Sequence, residues 1–241
     1  MTGTTRGLGL AVAETLLARG WHVVGLARGP APERLAAGAY RHCVVDLADL
    51  PALERWIERD APRLFPSGDT GRLGLVNNAA LLEQGSTEEL KAEALARALL
   101  VGSAAPTRLM GWALGAAPRV PLRIVNVSSG AASSPYPGWS AYCMGKAALD
   151  MASAVLGLEL EEVPRLAGRD ASVVSYAPGV VDTAMQAEIR ASDPASFPRR
   201  ARFVELHTRG ELVEPSRPAA EIADLLGADG LPRLSRRRFG G

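Results

Sequence analysis

The sequence predicts an α/β fold in which one doubly wound parallel sheet carries helices on both faces. Short apolar runs alternate with longer helical patterns along the chain, and a glycine cluster at the N-terminus opens the first helix. The 241 residues, 47% of them hydrophobic, suffice for a single large domain spanning 1–241 with a substantial core. Strands are expected at 21–26, 42–45, 73–76, 122–127 and 171–176, where the runs are short and apolar, as in strands covered on both faces. Helices are expected between them at 8–18, 51–62, 88–114, 141–162 and 219–226. Stretches such as Gly29-Pro30-Ala31-Pro32 read as connections within that domain. Such a sheet takes a strand immediately before its glycine loop, and only Met1 precedes Thr2. The expectation is that the start lies upstream; the alternative is that the chain covers a gap in its sheet.

Net charge is +1, which gives no electrostatic case for nucleic acid or an anionic membrane. No apolar run approaches the roughly 20 residues of a membrane span, and no signal peptide is visible. Two cysteines, Cys43 and Cys143, form no disulfide framework and suit a reducing cytoplasm. Arg236-Arg237-Arg238 reads as a solvated or interface tail. No metal site is expected.

The composition itself points to chemistry. The chain has 2 Lys against 25 Arg, and one of the two lies in Tyr142-Cys143-Met144-Gly145-Lys146. Four-residue spacing on a helix stacks the Tyr142 phenol and the Lys146 ammonium one turn apart. The ammonium is expected to lower the phenol pKa towards a range useful for proton transfer. Ser129 ends the apolar run 122–127, which places its hydroxyl where open α/β sheets keep their sites. Ser128, Ser133 and Ser134 are rival hydroxyls. At the N-terminus, Gly3, Gly7 and Gly9 let the backbone turn tightly and approach a diphosphate at a helix start.

Thr2-Gly3-x3-Gly7-x-Gly9, Asn77-Asn78-Ala79-Ala80, Ser129, Tyr142-x3-Lys146 and the run Pro178 through Thr183 occur in an order and spacing that resembles the short-chain dehydrogenase/reductase family. The run from Tyr176 to Gln186, with Gly210-Glu211-Leu212-Val213, is similar to its sepiapterin reductase and benzil reductase branch. The resemblance implies a Rossmann-type domain and a reductase in which hydride reaches a ketone while Tyr142 donates the proton. Ser129 would hold the carbonyl and Lys146 the nicotinamide ribose. Gly3, Gly7 and Gly9 would face the diphosphate, Asp46 and Leu47 would lie along the adenine and Asn77 beside the adenosine ribose, with Thr5, Arg6, Leu8 and Ala79 also contacting the cofactor. Pro178, Gly179, Val181 and Thr183 would hold the nicotinamide, with Asp182 ordering that loop. Many relatives carry an Asn for a proton-relay water where this chain has Gly102; Ser103 is a possible substitute. Because of Gly102 and the missing strand, a catalytically weak NADP-binding scaffold is the alternative reading.

Cofactor choice follows from charge. The run 21–26 continues into Ala27-Arg28, without the carboxylate that would bind a ribose 2′-hydroxyl. Arg28 and Arg6 suit a 2′-phosphate, so the expected cofactor is NADP(H). Tyr136 and Trp139, with Met185 opposite, are expected to wall an aromatic or dicarbonyl substrate, under a mobile segment 186–211. A homodimer or homotetramer is expected through the apolar helices 88–114 and 141–162.

Overall fold

The computed structural model describes residues 1–35, 38–65 and 71–241. The strands are β1 (Val23–Ala27), β2 (Tyr40–Val44), β3 (Leu73–Asn77), β4 (Leu122–Val127), β5 (Ala171–Ala177) and β6 (Leu234–Arg238), all paired in parallel. They form a two-stranded group, β1–β2, and a four-stranded group, β3–β4–β5–β6. The single sheet of the sequence reading is therefore divided. What joins its halves is Met1–Gly3: Leu26 N donates to Met1 O, Thr2 N to Val76 O and Gly3 N to Leu26 O, at 2.9 Å each. The short N-terminal segment covers the gap at the C-terminal ends of β1 and β3, beside the glycine loop. Below it, Trp21 and Leu226 pack against Gly74. Burial of the Met1 amine pushes its pKa down to about 5.

Helices α1 (Gly7–Ala18) and α10 (Ser216–Gly227) cover one face, with Leu16, Ile222 and Leu226 packed on Val76, Val125 and Val174. The other face is covered by three helical stretches. The first runs from α2 (Leu50–Arg55) through a wide turn, Trp56–Asp60, into α3 (Ala61–Leu64). The second runs from α4 (Ala92–Leu99) through a second wide turn, Leu100–Ala104, into α5 (Ala105–Ala116). The third is α6 (Ser140–Glu162), which α7 (Pro164–Ala167) follows. Strand β4 shows why both faces close: Leu122 and Ile124 point into one core, Val125 and Val127 into the other.

Other readings change as well, among them the expected helix 51–62, which the wide turn at 56–60 interrupts. The expected helix 88–114 begins at Ala92 and is interrupted at 100–104, where the wide turn rotates the side chains that follow relative to those before it. Segment 186–211 contains α8 (Ala184–Ala191) and α9 (Arg200–Thr208). Its Phe197 stacks on Trp139 with rings 4.7 Å apart and 5° between planes, and Phe203 lies 5.5 Å from the same indole. These contacts seat the segment, expected as a lid, over the loop between β4 and α6. Lastly, the arginine run at 236–238 is in β6, at the end of the strand order; solvated Arg side chains there blunt an edge strand.

Candidate active site

The C-terminal ends of the strands open into a cleft of about 1200 Å³, large enough for a dinucleotide and a small substrate together. Its floor is the N-terminus of α1. A β-carbon at Gly9 would lie 2.0 Å from Gly3 O and 2.4 Å from Asn78 Nδ2, so only glycine permits this close fold-back. Gly3 and Gly7 have φ of +71° and +56°, where side chains are strained. A β-carbon at Gly7 would meet the Thr183 methyl at 3.1 Å, so the glycine loop and the 178–183 loop touch. The Thr2 hydroxyl accepts from Asn78 N and Ala79 N at 3.0 Å and locks the second wall. The Val181–Val213 bridge orders the 178–183 loop through its backbone, while the Asp182 side chain is exposed.

Thr5, Arg6, Leu8, Arg28, Asp46, Leu47, Ala79, Pro178, Gly179, Val181 and Thr183 all line the cleft. Asn77 does not. Its side chain is 2% exposed and turned beneath the wall, donating to Asn126 Oδ1 at 2.8 Å. Asn77 thus ties β3 to β4, and Asn78 takes the wall position. Asp46 accepts from Ala48 N at 2.9 Å and lies 3.7 Å from Arg97.

A hydrogen-bonded chain that the spacing gave no sign of reaches the Arg28 loop. The Thr4 hydroxyl lies 2.8 Å from the Tyr40 hydroxyl, which lies 2.8 Å from His42 Nδ1, while His42 Nε2 lies 2.8 Å from Gly29 O. A carbonyl only accepts, so Nε2 carries a proton towards Gly29 O. A β-carbon at Gly25 would sit 2.3 Å from the Tyr40 oxygen, so a glycine in β1 opens the path. The glycine loop and the backbone after Arg28 are thereby held as one unit.

Ser129, Tyr142 and Lys146 meet in the middle of the cleft. Lys146 is 3% exposed and donates through Nζ to Val127 O at 2.5 Å, which fixes the end of β4 just before the serines. Burial lowers its pKa to about 8, against which Asp150 acts in the opposite sense, so it remains an ammonium at neutral pH. For Tyr142, burial pushes the phenol pKa up, and the Ser129 hydroxyl beside it pulls down. The expected lowering by Lys146 is not what governs here: Nζ lies 5.8 Å from the ring centre, and loss of solvent outweighs it. A phenol raised in this way is protonated at neutral pH, as a proton donor must be. Among the rival serines, Ser128 lines the cleft with its buried hydroxyl unpartnered, and Ser133 and Ser134 are exposed.

Gly102 faces Gly145 of α6, and a β-carbon at either would make only ordinary contacts, 3.4 Å from Gly145 Cα and 3.7 Å from Gly102 Cα, so packing does not demand glycine at Gly102. Ser103 is no stand-in for the absent Asn. Its hydroxyl donates to Leu99 O at 2.8 Å and faces an outer depression shared with Ala148.

At the far end, Tyr136, Trp139 and Met185 line the cleft. Trp139 is 4% exposed between Tyr136 and Phe197, so it supports the wall and offers no free ring face. Arg199, Arg202, Phe203 and Gln186 complete this end and were missed, because α8 and α9 were not recognised as elements. Cys143 packs against the same aromatic cluster, as a small apolar side chain does.

The sequence profile described as short chain dehydrogenase matches residues 1–194. The chain belongs to the short-chain dehydrogenase family. It is 31% identical to the benzil reductase ((S)-benzoin forming) of Bacillus cereus, over 97% of this chain and 95% of that one. It is 33% identical to the sepiapterin reductase of Mus musculus, over 95% and 91%. A structure from Beutenbergia cavernae, described as an NAD(P)-dependent gluconate 5-dehydrogenase with bound NADP, superposes with a TM-score of 0.78 at 26% identity, covering 98% and 92%. The family assignment makes this chain an oxidoreductase that uses a nicotinamide dinucleotide, and the Gly3–Gly9 cradle fits that group. No helix among the described residues is long and apolar enough to cross a membrane.

Proposed function

We propose that the protein is an NADPH-dependent carbonyl reductase acting on ketones and diketones, with Tyr142 as proton donor. The observation that carries this reading is the convergence of Ser129, Tyr142 and Lys146 above the glycine cradle in one cleft. When bound, the cofactor supplies hydride to the carbonyl carbon. The chain's own groups do the rest. Ser129 hydrogen-bonds the carbonyl oxygen, the protonated Tyr142 hydroxyl gives its proton to that oxygen, and the Lys146 ammonium stabilises the phenolate left behind. The benzil and sepiapterin reductase relatives support a dicarbonyl or aromatic ketone as substrate. Purified protein mixed with NADPH and a panel of diketones should consume the nicotinamide absorbance; no consumption across the panel would overturn the reading.

NADPH specificity rests on Arg6 and Arg28, both lining the cleft on the adenosine side of the cradle. Arg6 has only a loose partner, Glu188 at 3.9 Å, so its charge is free for a phosphate. NADPH should exceed NADH in kcat/KM by at least tenfold, about 1.4 kcal/mol. Arg28→Ala combined with Ala27→Asp should erase or invert that ratio. Equal use of both cofactors by the unmodified protein sinks the argument.

The protein is further proposed to be cytoplasmic and to act as a homodimer or homotetramer. The apolar surplus is not at 94–101, where Leu95, Leu99 and Leu100 are half-buried. It lies on the outer face of α6, where Met144, Met151, Val155 and Leu158 are 44%, 63%, 47% and 55% exposed. Light scattering at micromolar concentration should give a multiple of 25.3 kDa, and Val155→Glu should reduce it to one chain without unfolding. A monomer across the whole dilution series would refute the assembly.

A further inference from the structure

We infer that the substrate end of the cleft takes an aromatic carbonyl compound bearing an anionic group, and that Arg199 and Arg202 receive that group. This rests on the carbonyl reductase reading and names its substrate class.

The wall is graded outward from the reacting phenol. Tyr142 touches the edge of Trp139 at 5.7 Å between ring centres, and Trp139 stacks on Tyr136 at 4.8 Å. The Arg199 guanidinium lies over the outer face of Tyr136, 5.2 Å from its centre, and Arg202 Nη1 reaches the Tyr136 hydroxyl at 3.4 Å. An elongated molecule with its carbonyl at Tyr142 would therefore pass the edges of this aromatic stack and end at two cations.

Arg6, Arg19, Arg34, Arg55, Arg72, Arg97, Arg108, Arg123 and Arg209 each lie within 4.0 Å of a carboxylate. Arg199 and Arg202, three residues apart at the start of α9, have no such partner among the described residues, as is also true of Arg28 and Arg238 elsewhere in the cleft lining. Among the described residues the one carboxylate lining the cleft is Asp46, which lies beside Arg97. Arg199 spends one N–H on Pro135 O at 3.0 Å, which orients the guanidinium and leaves its remaining donors free. Tyr136, once it accepts from Arg202, has its own O–H to donate. The far end thus offers two guanidinium groups and a hydroxyl with no competing acid, a donor set suited to a carboxylate. The cofactor does not account for these charges, because its phosphates belong at the glycine cradle and the Arg6–Arg28 side.

The test compares 4-carboxybenzil with its methyl ester, which share a carbon frame and differ in charge. The unmodified protein should reduce the acid with a kcat/KM at least tenfold above that of the ester, and the ratio should shrink as salt is raised to about 0.5 M. Arg199→Gln with Arg202→Gln should bring the acid-to-ester ratio close to one, mainly through the KM of the acid. A purely structural role for these arginines would lower both substrates together and leave the ratio in place, which would overturn the inference. So would an unmodified protein that prefers the ester, with the reductase reading intact. NADPH left untouched by both compounds would overturn the reductase reading and this one with it.

Discussion

Tyr142→Phe is expected to cut ketone reduction by at least about a hundredfold, the low end for loss of a positioned general acid. Phenylalanine keeps the ring against the edge of Trp139 and removes only the hydroxyl beside Ser129. NADPH binding should therefore change little, and the melting temperature should stay close to that of the parent. The loss should appear in kcat as well as in kcat/KM, because the proton moves in the transition state. The pH profile adds a second readout. Lys146, held at about 8 by burial, is charged below that value and loses its proton above it. Reduction should fall on the alkaline side of about pH 8. Lys146→Arg, which stays protonated, should move or abolish that limb even if its absolute rate is low. Near-parental turnover in Tyr142→Phe would refute the proposed mechanism.

The second large effect is expected at Gly9. Its β-carbon would meet Gly3 O at 2.0 Å, a backbone atom that has no rotamer to escape into. Gly9→Ala must push the loop away from α1, at a stability cost on the order of 2–4 kcal/mol. NADPH affinity, measured by titration, should fall by at least about a hundredfold, because the free N–H groups of the helix start no longer converge on one point. Circular dichroism separates loss of fold from loss of the site. Gly115→Ala is the control: nothing lies within 4 Å of its would-be β-carbon, so it should be neutral or slightly stabilising. Parental cofactor affinity in Gly9→Ala would mean that the cradle does not hold the diphosphate.

The sequence carried the catalytic constellation because its signals are local. Tyr142 and Lys146 sit one helical turn apart, Ser129 ends an apolar strand, and the glycines cluster within seven residues of one another. The strands were equally legible where both faces are buried, as in β4 and β5, since their runs are mostly apolar, although Arg123 and Asn126 interrupt the first and Ser172 and Ser175 the second. Strand β6 was not, because an edge strand pays no penalty for Arg236, Arg237 and Arg238. Side-chain direction was likewise beyond the sequence. Asn77 and Asn78 are adjacent, yet alternation along a strand sends one into a buried link with Asn126 and the other to the cleft wall. The proton affinity of Tyr142 also waited for three dimensions, because burial, not the neighbouring ammonium, has the larger effect on it.

The sequence by itself determined which groups are available: a cradle, a hydroxyl, a phenol, an ammonium and a spare guanidinium beside the second glycine-bearing turn. Only the tertiary structure decided how the chain holds them. It placed Met1–Gly3 between β1 and β3, ran the Thr4–Tyr40–His42 chain past Gly25, and fitted Gly102 against Gly145. It also clamped α9 onto Trp139, bringing Arg199 and Arg202 to the mouth of the cleft. The physical reason is common to all four. Each contact joins residues far apart in sequence, through distances of a few ångströms that no periodicity or spacing encodes.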